Sequence, residues 1–186
     1  MTPTRRSLLA GMALAAAATS LPAQAEDGAV IDARVKIAEA QLFKQIPETK
    51  QLAKEAKGIL WMPDVVKGGF IVGAAYGEGA LLVPDGDGWK TQGYYSVGEG
   101  SVGFQAGIQQ SSHALFFLTE EALKKFENAN GWEAGVDAEI TFPSKGVNIG
   151  TSSTSLNKPI IGFVFGEDGL LAGASLSGAK YTKVDR

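Results

Sequence analysis

Between Ala56 and Leu82 the chain reads AKGILWMPDVVKGGFIVGAAYGEGALL. Glycine recurs among aromatic and β-branched residues, and almost no side chain in the stretch can serve as an acid, a base or a nucleophile. Large residues interleaved with glycine suit strands packed at close range, where one backbone approaches another or a sheet bends. The stretch confines the chain to folds built round a closely packed sheet. It also argues against a catalytic centre within it.

The first 25 residues have a different character. Thr4-Arg5-Arg6-Ser7-Leu8-Leu9 opens with paired arginines, Gly11 to Leu21 is a short alanine-rich apolar run, and Ala23-Gln24-Ala25 is a small-x-small cleavage site. The pattern is that of an export signal of twin-arginine type, cut before Glu26. A run of about 11 apolar residues is too short to cross a bilayer, which takes about 20.

Removing 25 of the 186 residues leaves 161. The removed segment holds Arg5 and Arg6 but no acidic residue, so the formal net charge moves from −3 to −5. The remainder, 26–186, is enough for a single domain with its own core. An acidic protein matches nucleic acid poorly, and its contact with an anionic membrane has to be local or apolar. The absence of cysteine removes disulfides, thiolate metal sites, thiol catalysis and an acylated N-terminal cysteine. No later apolar run is long enough to span a membrane. The expected location is the periplasm or the extracellular space.

Asp27 to Lys57 has helical spacing, with Val35, Ala38, Leu42 and Ile46 three or four residues apart and charges between them. Pro47 interrupts a continuous helix. The spacing predicts one helix to about Gln45 and a second from Pro47 to Ala56, stopped by Gly58. From Ile59 the character changes. Strand-like segments are Gly69 to Tyr76, Ala80 to Pro84, Gly93 to Val97, Ser101 to Gln109 and Ala114 to Leu118, with a turn at Pro84-Asp85-Gly86-Asp87-Gly88. Thr119 is a predicted N-cap, Glu120 and Glu121 suit a first helical turn, and Gly131 ends a helix near Asn130. Strands resume over Trp132 to Phe142, Gly146 to Thr151, Pro159 to Phe165 and Leu170 to Val184, with a polar loop at Thr151 to Ser155. The elements predict an α+β domain. N-terminal helices pack on a glycine-rich, mostly antiparallel β-barrel or sandwich, with one further helix near 119–130.

Five marks spread over Leu42 to Val184 resemble, in order, those of the SYLF domain, the Ysc84-type family. They are Ala-Lys-x-Ile-Leu-x-x-Pro at Ala56 to Pro63, followed by Lys67-Gly68-Gly69-Phe70-x-x-Gly73; Gly77-x-Gly79-x-Leu81-Leu82; Trp89; the Gly-x-x-x-x-Gly-x-Gln-x-Gly run from Gly98 to Gly107; and Gly169-Leu170-Leu171-Ala172-Gly173-x-Ser175-Leu176-x-Gly178. The resemblance implies a non-enzymatic protein with no cofactor. Eukaryotic members bind phosphoinositide membranes through a basic amphipathic N-terminal segment, and some bind actin filaments. For an exported bacterial member, a lipid or membrane surface is the implied partner and actin is not. The chain departs from the family where a basic stretch usually precedes the last block. Here Phe165-Gly166-Glu167-Asp168 ends acidic, which repels an anionic headgroup.

The residues assigned to lipid contact are Lys50, Lys54, Lys57, Trp61 and Lys67, with Lys36 and Lys44 also on the helices. Ordinary solvated helix positions are the plainer reading of these lysines. A tryptophan between lysines suits a membrane interface, and core packing is its plainer reading.

Other constellations have plain readings too. Gly98-Glu99-Gly100-Ser101-Val102-Gly103 matches a dinucleotide-binding pattern, but strand-like residues follow it, so a tight glycine hairpin is expected. His113 follows Ser111 and Ser112. Adjacent strand residues point to opposite faces, and no nucleophile elbow is present, so His113 reads as a strand start or loop edge. One histidine and no cysteine leave no zinc site. Asp85 and Asp87 lack the later ligands of a calcium loop. Glu120-Glu121 and Glu167-Asp168 have no visible partner to tune them as acid and base. An envelope protein partner using the same sheet is the alternative function, and a hydrolase centred on His113 ranks last.

Overall fold

The computed structural model describes residues 26–69, 72–102, 107–143, 158–171 and 176–186. The expected signal, the Gly146 to Thr151 strand, the Thr151 to Ser155 loop, Phe70 and Phe104 lie outside those residues. Among the described residues three helices and eight strands make an α+β architecture.

Helix α1, Gly28–Gln45, begins at Asp27, whose Oδ1 accepts a hydrogen bond from the Ala29 amide at 2.9 Å. Ile31, Val35, Ala38 and Leu42 form its buried stripe. The helix stops at Ile46, before Pro47, and α2, Thr49–Glu55, follows with Leu52 and Ala53 buried. Strand β1 is Gly58–Gly69, β2 is Val72–Asp85, β3 is Gly88–Val102 and β4 is Gly107–Phe117. The Asp85–Gly88 turn has Gly86 at φ +60, as its Asp-Gly sequence predicts. Helix α3, Glu120–Asn128, is capped by Thr119, whose hydroxyl accepts from the Ala122 amide at 3.2 Å. Strands β5 Trp132–Glu133, β6 Ile160–Gly166, β7 Gly169–Leu170 and β8 Lys180–Val184 complete the sheet. The segment expected as a strand from Trp132 to Phe142 holds only the short β5 and isolated bridges at Ala134, Ala138 and Thr141.

Gly58 starts β1 rather than merely ending a helix. Two strands expected at Gly69 to Tyr76 and Ala80 to Pro84 are parts of one 14-residue β2. The missing alternation in β1 has a cause: both faces of the sheet are covered. One core contains Ile59, Trp61, Ala80, Phe116 and Phe163 beneath α1 and α2. The other contains Leu60, Met62, Leu115, Phe117, Trp132 and Tyr181 around α3. A strand buried on both faces reads as a continuous apolar run.

All strand pairs are antiparallel, in the order β5-β8-β3-β2-β1-β4-β6-β7. Among the described residues the order is open at both ends, so closure into a barrel is not seen there and a sandwich-like arrangement stays compatible. That sheet is strongly curled. Ala134 bridges Ala138, and Thr141 then bonds to β6 through Thr141 N–H to Ile160 O and Gly162 N–H to Thr141 O. From β5 to β6 is six inter-strand steps, about 29 Å in a flat sheet, whereas three extended residues reach only about 10 Å. The α3 face is therefore concave, and residues 134–142 lie across it. Ile140 and Phe142 pack at Gly162, where a Cβ would stand 2.6 Å from Ile140 Cγ2.

A one-residue bulge interrupts β1 between Met62 and Val65 on the β4 side and between Trp61 and Val66 on the β2 side. Asp64 sits there at φ +54. Its amide donates to Ser112 Oγ at 3.4 Å and its carboxylate accepts from Gln110 Nε2 at 2.8 Å.

Candidate functional site

The outer face of α1 and α2 is basic and partly apolar. Among residues 26–57 the exposed charged side chains are Lys36, Lys44, Lys50, Lys54 and Lys57 against Asp27 and Glu48. Val30 and Ile37 stand among them at 45% and 68% exposure. Glu39, half-buried on α1, has its carboxyl pushed up by burial, partly offset by the Lys36 charge. The acidic turn at Glu167-Asp168 sits against the C-terminal half of this helix. Gln41 and Gln45 Nε2 donate to Gly166 O at 2.8 and 2.9 Å.

The five residues expected to act together are divided by the fold. Lys50, Lys54 and Lys57 are exposed on and just after α2. Trp61 is wholly buried, edge-on to Phe43 at 6.0 Å and Phe116 at 5.9 Å, and offers no surface to a membrane. Lys67 lies ten residues beyond Lys57, about 30 Å along the strand. Two positions after Val65, it faces the concave side, where its Nζ meets Glu99 at 2.7 Å. The helix lysines remain as one group. Trp61 and Lys67 leave it, one to the core and one to an ion pair.

The concave face carries a polar line where its apolar core gives out. His113 is not at a strand edge. It lies mid-strand in β4, between Met62 and Val164, at 4% exposure. Ser111, two residues earlier and on the same face, places its Oγ 3.3 Å from His113 Nε2, while Ser112 points to the other face. Burial, with the Lys67 charge adding to it, lowers the imidazole to a pKa of about 4, so it is neutral at pH 7. Its Nδ1 has no hydrogen-bond partner, so no acid orients it. A serine triad requires such a group. Among the described residues no His, Asp and Glu cluster is arranged to hold a metal ion. Gly98 to Val102, the start of the dinucleotide-like pattern, continues β3 and does not enter a helix.

Sequence reasoning missed a second site. On the convex side, where the bulge carries β1 and β2 past α1, a cleft of about 640 Å3 is lined by Glu26, Arg34, Asp64, Tyr76, Glu78 and Arg186 with apolar Val66 and Ala74. Arg186 bonds Glu78 through Nε at 3.0 Å and Nη2 at 2.5 Å, Tyr76 Oη donates to Glu78, and Arg34 pairs with Glu26 at 2.9 Å. Burial would raise the Glu78 carboxyl, but the hydrogen bonds from Arg186 and Tyr76 outweigh it and hold it below the usual carboxylate range. The matching of Tyr76 with Glu78 is visible as an i, i+2 strand pair. Arg186, 108 residues away, has no local signal.

Residues 98–186 match the family model Ysc84, described as "Las17-binding protein actin regulator". Over this span the chain is similar to the Ysc84, or SYLF, family. No curated protein matches it. The Ysc84 match runs from the last third of β3 through β8, so it takes in α3, Arg186 and part of the concave core. The glycine-rich marks from Ala56 to Trp89 and the lysines of α1 and α2 precede it. Among the described residues no helix is long and apolar enough to cross a membrane.

Proposed function

We propose that this Ysc84-family chain is a non-catalytic lipid-binding protein of the bacterial cell envelope, exported by the leader and cut before Glu26. The exposed face of α1 and α2 supports this reading: five lysines against two acids, with Ile37 and Val30 projecting beside them, on a chain that is acidic overall. Such a face lies in the membrane interface, its lysines on anionic headgroups and its short apolar side chains at the acyl boundary. α1 need not leave the sheet to do so, since its buried stripe is on the opposite side. Actin regulation, the role in the family description, needs a cytosolic partner that export would remove.

Co-sedimentation with vesicles of phosphatidylcholine, with and without phosphatidylglycerol, tests the proposal. Binding should increase with anionic lipid. It should weaken when Lys50, Lys54 and Lys57 are changed to glutamate. Absence of binding to every composition removes the proposal.

A second reading, docking of an envelope protein, draws on a separate observation. Beyond α1 the convex sheet exposes Val66 at 45%, Tyr76 at 54% and Ile108 at 82%. Recovery of a stoichiometric protein partner, lost in Ile108→Glu and unaffected by lipid, would favour it over the lipid reading.

A further inference from the structure

The expected cleavage point and the convex cleft meet at one residue. Glu26 follows Ala23-Gln24-Ala25 directly and is also a wall of the cleft that holds Glu78 and Arg186. It shares that lining with Glu78, and its backbone N–H contributes to holding the Glu78 carboxyl low. Its side chain pairs with Arg34 one helical stretch later, so the residue is held at both ends. The Glu78 side chain is 8% exposed and that of Arg186 12%, an ion pair well shielded from water.

We propose that signal cleavage creates a new ion-pair partner at this site, the α-ammonium of Glu26, which joins Arg186 on Glu78 and clasps the start of α1 to β2 and to the segment after β8. The inference rests on the export reading given above. Hydrolysis of the Ala25–Glu26 peptide bond by a signal peptidase consumes one water. The hydroxyl goes to the Ala25 carbonyl carbon, which departs as a carboxylate, and the Glu26 nitrogen takes up the protons that make it an ammonium. One neutral N–H donor to Glu78 thereby becomes a charged one, and charge-assisted hydrogen bonds are about twice as strong as neutral ones. A leader still attached withholds that charge, so the mature form is selectively stabilised.

The titratable and charged groups lining the cleft around the new ammonium are Glu78 and Tyr76 from β2, Asp64 from the β1 bulge, Arg34 from α1, Arg186 and the Glu26 carboxylate itself. Glu78 is the shielded acid among them. Pairing raises the ammonium's pKa above that in the unfolded chain, about 7.7–8.0. Its contribution is complete below that value and is lost as pH rises through the folded-state pKa.

The test compares protein whose first residue is Glu26 with protein retaining Ala23-Gln24-Ala25 ahead of it. At pH 7 the shorter form should melt about 2–4 °C higher, the shift expected for a pair worth ~1 kcal/mol in a domain of this size. The difference should vanish at pH 10 and in Glu78→Gln, where both forms lose the partner together. Equal melting of the two forms, or a difference that survives in Glu78→Gln, overturns the clasp. Intact mass of the exported protein separates the premise from the inference. A mature chain starting elsewhere than Glu26 refutes the cleavage, whereas correct processing without a Glu78-dependent difference refutes only the clasp.

Discussion

Gly79→Ala is the sharpest test of how the glycine-rich stretch packs. A Cβ at Gly79 would stand 1.9 Å from Trp61 O, 2.7 Å from Met62 Sδ and 2.9 Å from Met62 Cα. Two of those neighbours are backbone atoms of β1, so no rotamer change relieves the contact. Restoring a normal separation of about 3.4 Å would push β2 and β1 apart by roughly 1.5 Å just where the bulge already disturbs their ladder. Overpacking of this kind costs about 1–3 kcal/mol, and each ladder hydrogen bond lost adds about 1 kcal/mol. A total of about 4 kcal/mol follows, a large part of the 5–15 kcal/mol typical of a domain. In thermal unfolding this is a fall of roughly 8–16 °C. Gly98→Ala is the control, because a Cβ there meets nothing within 4 Å on an exposed position of β3. It should be neutral or slightly stabilising, since alanine restricts the unfolded chain. If Gly79→Ala costs no more than Gly98→Ala, the close approach of β1 and β2 is wrong.

Further outcomes follow from the buried groups. His113 has its folded pKa lowered to about 4 from an unfolded value of 6.5, so stability is lost as pH falls through that window, by about 3 kcal/mol at most. Denaturant titrations at pH 7, 5 and 4 should show this loss reduced in His113→Leu relative to the parent; equal loss in both would refute the assignment. Trp61→Ala should lower stability by about 3–5 kcal/mol. In the parent protein, an aqueous quencher that reached Trp61 would contradict its burial. Lys67→Gln strands Glu99, whose side chain is 13% exposed, and should cost about 1–3 kcal/mol, whereas Lys54→Gln should stay within about 0.5 kcal/mol. Equal melting temperatures for those two variants would place Lys67 back among the solvated lysines.

Elements with a local signature were legible in the sequence. The α1 spacing, the Thr119 cap, the Asp85–Gly88 turn and β6 needed only nearby residues. β1 was not legible. Its run Ile59 to Met62 lacks alternation because α1 and α3 lie on opposite faces, and such a run carries no period to recognise. Gly77 and Gly79 looked like breaks between two strands. They are glycine because a Cβ at either would strike β1, at Val65 or at Trp61. His113 looked like an edge residue because its polarity hides a position three strands deep in register. The helix lysines were picked out by composition, and the structure places them at exposed positions. Their grouping with Trp61 and Lys67 followed the sequence line, which a strand about 30 Å long does not preserve in space.

The bulge at Pro63-Asp64 gives the glycine-rich stretch its consequence. Before it, α1 covers the convex face of β1 and β2 over Trp61 and Ala80; after it, the same face is open at Val66 and Tyr76. A bulge adds twist and turns a strand away from its neighbour layer. Here it carries the strand ends out from under the helix and leaves the cleft between them. Asp64 holds an unfavourable positive φ, a cost of order 1–3 kcal/mol that its bonds to Gln110 and Ser112 help to offset. The bulge also preserves the inward phase of the concave side, because Met62, Val65 and Lys67 all face inward on either side of it. One extra residue therefore opens the outer face without disturbing the inner core. That separation lets the convex face open beside α1 while the concave core stays packed.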